Sequence, residues 1–190
     1  MTTLPEMAVA LRDQLERARI PYAFGGALAL AYHIEEPRGT RDIDVNIFVR
    51  ATNARSVLEK LPPEVRWTEH DVDEIARDGQ VRVFWDETPV DLFFVTHRFH
   101  ESAATHIEIV PFDDTSIPIL SANDLAVFKA FFDRTRDWAD IEAMLAAQSL
   151  DVHVVLGWLV DLLGPDDQRI ARLRALLDRE PPPRDPRFAP

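Results

Sequence analysis

The chain has 190 residues, 46% of them hydrophobic, with 33 acidic against 21 basic side chains and a formal net charge of −12. This supports a buried core and argues against a broad nucleic-acid face, which would be basic. There is no cysteine, which excludes disulfides and Cys-ligated zinc. No apolar run reaches membrane-spanning length and the first residues lack a basic-then-apolar leader, so a cytoplasmic protein with no membrane association is expected.

Thr3-Leu4-Pro5-Glu6 reads as a capping box with proline in the first turn. Leu4, Met7, Ala8, Leu11, Leu15 and Ala18 follow at helical spacing. Pro21 ends that helix, and residues 22–24 read as a short strand. Gly25-Gly26 reads as a turn ahead of an Ala/Leu-rich helix over residues 27–34. Residues 42–49, rich in Val, Ile and Phe with period-2 alternation, predict a second strand. Strand alternation would put Asp42 and Asp44 on one face and Ile43, Val45, Ile47 and Val49 on the other.

Residues 54–61 predict a helix stopped by Pro62-Pro63, and residues 72–76 a short one. Residues 81–85 and 90–95 predict a hairpin around Asp86-Glu87-Thr88-Pro89, with Asp91 on its second arm. A strand is expected over residues 107–112, while residues 117–120 are ambiguous. From Ser121 the pattern is helical. A helix carries Leu125, Phe128 and Phe132, a second holds Trp138, Ile141, Met144 and Leu145, and two more span residues 152–163 and 166–177. The expected organisation is an α/β core (residues 1–120), a helical portion (121–180) and a disordered Pro-rich tail (181–190).

Two carboxylates crowded on one strand face repel each other, and a hard cation such as Mg²⁺, held by carboxylate oxygens, is the usual compensation. Asp91 would complete a trio if its strand neighbours that of Asp42 and Asp44. Gly25-Gly26 lets backbone approach a ligand closely, and a helix start behind it presents N–H groups to phosphate oxygens.

Gly25-Gly26, then Arg38-Gly39-Thr40-Arg41-Asp42-Ile43-Asp44-Val45, then Asp91, resembles the nucleotidyltransferase superfamily with the DNA polymerase β-like fold. Leu125-Ala126-Val127-Phe128-Lys129 and Arg136-Asp137-Trp138-Ala139-Asp140-Ile141 resemble helical motifs of the AbiEii/MenT-type toxin nucleotidyltransferases. The resemblance spans roughly residues 20–145 and implies an α+β fold, with a small mixed sheet, flanking helices and a C-terminal helical portion. It further implies two Mg²⁺ ions at Asp42, Asp44 and Asp91, which would also be the catalytic residues. Gly25, Gly26, Arg38, Thr40, Arg41, Lys129 and Asp137 would contact or frame the nucleoside triphosphate. Transfer to tRNA or another macromolecule, with a cognate antitoxin as partner, follows from the toxin resemblance. The alternatives are a small-molecule, antibiotic-type nucleotidyltransferase and a non-catalytic nucleotide-binding protein.

Several of these residues have a plainer reading. Arg38 and Arg41 either bind phosphate or screen Asp42 and Glu36. Thr40 either orients Asp42 or simply suits a strand. Lys129 either meets the triphosphate tail or snorkels past a core. Asp137 and Asp140, three apart on one helical side, could pair with Arg134 and Arg136, while the resemblance makes Asp137 a candidate for positioning Lys129 or the acceptor. Ala27 stands where many relatives have a serine, which would leave phosphate contact to backbone N–H groups. His33 reads as a packing residue, and His97, His100 and His106, whose spacing fits no zinc pattern, as surface residues.

Overall fold

The computed structural model describes residues 2–177; the expected tail, residues 181–190, lies outside them. The chain divides into two units. One comprises Met1–Tyr32 with Pro37–Ser121, and the other His33–Glu36 with the chain from Ala122 onward.

The first unit begins with α1 (Leu4–Arg17), whose Thr3 amide donates to the Glu6 carboxylate at 2.6 Å in the expected capping box. Met7, Ala8, Leu11 and Leu15 bury its apolar stripe. β1 (Tyr22–Phe24) and α2 (Gly26–Leu30) follow. The latter is shorter than the expected 27–34. Its end tightens to a bond from the Tyr32 amide to the Ala29 carbonyl, and the Tyr32 hydroxyl donates to the Pro111 carbonyl at 2.5 Å.

β2 (Ile43–Arg50) leads through a 3-10 turn (Ala51–Asn53) into α3 (Ala54–Leu58), β3 (Val65–Arg66) and α4 (Glu69–Asp78). α4 is twice the length that residues 72–76 suggested. The amide and hydroxyl of Thr68 both donate to the Asp71 carboxylate, at 2.6 and 2.8 Å, and fix its start. The hairpin is β4 (Gln80–Trp85) and β5 (Thr88–Val95). α5 (Arg98–Ala103), β6 (Glu108–Phe112) and β7 (Thr115–Ile119) complete the unit.

The strands form one mixed sheet in the order β3-β4-β5-β2-β1-β7-β6. β2 runs parallel to β5 and β1 parallel to β7, while the other neighbours are antiparallel. Ile43, Val45 and Ile47 of β2 and Val90, Leu92 and Phe94 of β5 are buried to within 1%. These apolar sets fix the register, because a one-residue slip would turn them to the other face.

The second unit is helical: α6 (Ala122–Phe132), α7 (Thr135–Ala146), α8 (Val152–Leu163) and α9 (Gln168–Leu177). α6 packs against each of the other three and is buried on several sides. That is why Asp124 and Lys129 are interior, at 2% and 5% exposure. Phe128 and Phe132, expected to carry the α6 core face, are only half-buried.

Candidate functional site

Two of the acidic residues meet at the middle of the sheet. β5 lies beside β2, and the register places Asp44 level with Asp91. Paired residues of adjacent strands project to the same side, so the two carboxylates share a face. Asp42 lies one residue before the strand rather than inside it. The hydroxyl of Thr40 bonds its carboxylate, and the Asp42 amide points back to that hydroxyl at 3.4 Å. Such local side-chain bonds compete with ladder pairing. Asp42 therefore does not take its direction from strand alternation; Thr40 holds it instead.

The glycine turn packs against this face. Gly26 has φ of +51°, and a Cβ there would fall 1.7 Å from Oδ2 of Asp44. A Cβ on Gly25 would fall 2.7 Å from Nδ2 of Asn46. The Gly25 amide donates to the Asp44 carbonyl at 2.9 Å. The two glycines thus let the turn lie against β2, and any side chain would displace Asp44 or Asn46. Asn46 is itself 4% exposed, and its Oδ1 has no hydrogen-bond partner.

A fourth charged residue sits on the site. Arg82 of β4 is the cross-strand partner of Asp91. Its Nε donates to Oδ1 and its Nη2 to Oδ2, both at 2.7 Å. The bond to Asp91 holds the Arg82 guanidinium even more firmly protonated than usual, and the charges of Asp91, Asp42 and Asp44 add to this. All three carboxylates therefore act on one guanidinium. Sequence reasoning passed over Arg82, yet the signal was there. A two-residue turn pairs Trp85 with Thr88, and counting outward along the hairpin sets Arg82 opposite Asp91.

Among the described residues no group of three or more His, Asp or Glu side chains is arranged to hold a metal ion, and Arg82 takes both oxygens of Asp91. The donor set nevertheless fits a hard divalent cation. It is anionic and all oxygen, and its members Asp44 and Asp91 are level across two strands.

The other expected nucleotide contacts lie in two places. Arg38 is half-buried and Arg41 exposed, both on the segment leading into β2. Lys129 and Asp137 lie in the helical unit. The Lys129 ammonium bonds the Asp140 carboxylate at 2.6 Å and stands 3.9 Å from that of Asp137. Asp137 accepts from Arg134 at 2.6 Å, and Trp138 donates to Asp133 at 2.6 Å. The short bond to Lys129 thus comes from Asp140, with Asp137 farther off, and Arg134 rather than Arg136 pairs with Asp137.

His33 is buried, as a packing residue should be. His100 departs from expectation: the backbone amides of Thr96 and His97 donate to its Nδ1 at 3.3 Å. Burial, then the neighbouring His97 charge, pushes its pKa down to about 4.

No family model and no curated protein matches the chain. Solved structures do. An antigenic nucleotidyltransferase-like protein from Paracoccidioides brasiliensis aligns at 15% identity over 88% of this chain and 92% of that one, with a TM-score of 0.51. A lincosamide antibiotic adenylyltransferase with lincomycin bound aligns at 14% identity over 77% and 99%, with a TM-score of 0.52. The antibiotic-resistance factor ANT(2'')-Ia aligns at 13% identity over 93% and 91%, with a TM-score of 0.51. At such identities the likeness is one of fold: this chain has a nucleotidyltransferase-like α+β fold.

Proposed function

We propose that the chain transfers a nucleoside monophosphate from a nucleoside triphosphate to a hydroxyl acceptor, with Mg²⁺ held by Asp42, Asp44 and Asp91. The observation that carries this reading is the register of Asp44 with Asp91, with Gly26 closed down on Asp44. When bound, Mg²⁺ supplies charge neutralisation at the triphosphate and lowers the pKa of the acceptor hydroxyl.

The chain's own residues supply the rest. The Gly25 amide is committed to Asp44, so the backbone groups offered to phosphate are those of Gly26 and Ala27. Arg38 and Arg41 supply guanidinium groups at the entrance to β2, suited to phosphate oxygens. Thr40 fixes Asp42. In the transfer, the acceptor oxygen bonds to the α-phosphorus and the bond to the bridging oxygen breaks. Pyrophosphate departs, and the acceptor proton passes to Asp91 or through it to water.

Two acceptor classes fit this chemistry. The net charge of −12 favours a small cationic acceptor, as does the likeness in fold to two antibiotic-directed proteins. The toxin reading, with tRNA as acceptor and an antitoxin partner, rests on the motif around Lys129, Asp137 and Asp140. Those residues are also accounted for by their buried ion pairs.

Incubation with α-labelled nucleoside triphosphates and Mg²⁺ separates the two. Label on an aminoglycoside or lincosamide supports the first class, and label on total RNA the second. Nucleotide binding with no transfer to any acceptor would overturn the enzymatic reading.

A further inference from the structure

Arg82 is held too specifically to be an incidental surface charge. Both donors of its fork engage both oxygens of Asp91 at 2.7 Å, and the hairpin register sets the two residues opposite each other. Paired this way, Asp91 has its best-directed lone pairs occupied. It cannot bind a cation or take a proton at full strength until the guanidinium moves.

The exposures of the two partners differ. The Asp91 side chain is 15% exposed and that of Arg82 52%, so Arg82 can swing into water while Asp91 stays fixed. Lys129, the other cation set among carboxylates, has a side chain only 6% exposed and has no such freedom.

We propose that Arg82 is a positioning residue that holds Asp91 ready and is exchanged for a divalent cation when the metal binds. This rests on the reading of Asp42, Asp44 and Asp91 as the metal site. Without a cation among them three carboxylates would repel one another, which costs stability and loosens the side chains. Arg82 supplies one positive charge there and orients Asp91 through two bonds. A divalent cation supplies two charges and displaces it. The consequence is competition: every step that weakens the Arg82–Asp91 bond strengthens metal binding.

The test is Mn²⁺ binding to the full chain, without nucleotide, followed by electron paramagnetic resonance at low ionic strength. Binding by the parent protein should depend on Asp44, shown by its loss in Asp44→Asn. Arg82→Gln should bind Mn²⁺ about tenfold more tightly, the scale of a strong, half-exposed ion pair, and Arg82→Lys should fall between. In the unaltered protein, the Arg82 Nε–H resonance should move toward that of a free guanidinium on saturation with Mg²⁺. This second readout does not depend on a variant folding.

Asp44-dependent binding that is equal or weaker in Arg82→Gln, with an unmoved Arg82 resonance, would overturn the exchange and leave the metal site standing. Absence of Asp44-dependent binding in every protein would overturn the metal site, and the exchange with it.

Discussion

The carboxylate of Asp44 occupies the space that a Cβ on Gly26 would need, with Oδ2 1.7 Å from the ideal Cβ position. The turn and the acidic strand are thus one unit, and neither can be altered without moving the other. Gly26→Ala should destabilise the protein by about 2 kcal/mol, since a left-handed alanine alone costs roughly 1 kcal/mol. It should also depress transfer far more than stability loss explains. Gly39→Ala, where a Cβ meets nothing within 4 Å, is the control and should leave thermal unfolding and transfer unchanged.

Asp44→Ala should abolish transfer, by about a thousandfold or more, while circular dichroism shows the fold intact. The substitution removes one of two level carboxylates. Unchanged turnover would reject the metal site.

Lys129→Met should cost about 3–5 kcal/mol in urea unfolding, because it leaves the buried Asp140 carboxylate without its ammonium partner. Combining it with Asp140→Leu should recover most of that loss. Unchanged stability together with weakened nucleotide binding would instead return Lys129 to the triphosphate.

His100 gives a pH dependence with a defined sign. Its native pKa of about 4 lies below the ordinary value of about 6.5, so the unfolded chain takes up a proton that the native chain refuses. Stability contributed by neutral His100 is complete above about pH 6.5 and is lost as pH falls toward 4, by up to about 3 kcal/mol. Unfolding free energy measured from pH 7 to 4 should fall less steeply in His100→Gln than in the parent.

Much of the sheet was legible because its strands carry apolar alternation. β1 coincides with its predicted span, and β2, β4 and β5 lie within two residues of theirs. What escaped was set by contacts that no local pattern records. β3 has two residues and α5 six, too few for a period to register. β7, ambiguous as a sequence, is placed by its parallel pairing with β1, through Phe24 and Ile119. α2 was read too long because nothing in Tyr32-His33-Ile34 breaks a helix by residue type, whereas the hydrogen bonds of Tyr32 end it.

Within the candidate site, Asp44, Asp91 and the two glycines stood out by residue type and spacing. Asp42 did too, but its place outside the strand follows from its bond with Thr40. Arg82 and Asn46 were passed over for a shared reason: each matters only through what lies beside it on a neighbouring element, Asp91 for the one and Gly25 for the other.

The most direct measurement is anomalous diffraction at the manganese edge from crystals grown with Mn²⁺ and a non-hydrolysable nucleoside triphosphate analogue. The account predicts a peak within about 2.2 Å of carboxylate oxygens of Asp44 and its acidic neighbours, with the triphosphate against Gly26 and Arg82 turned away from Asp91. A nucleotide bound elsewhere, or a peak that Asp44 does not touch, would contradict it.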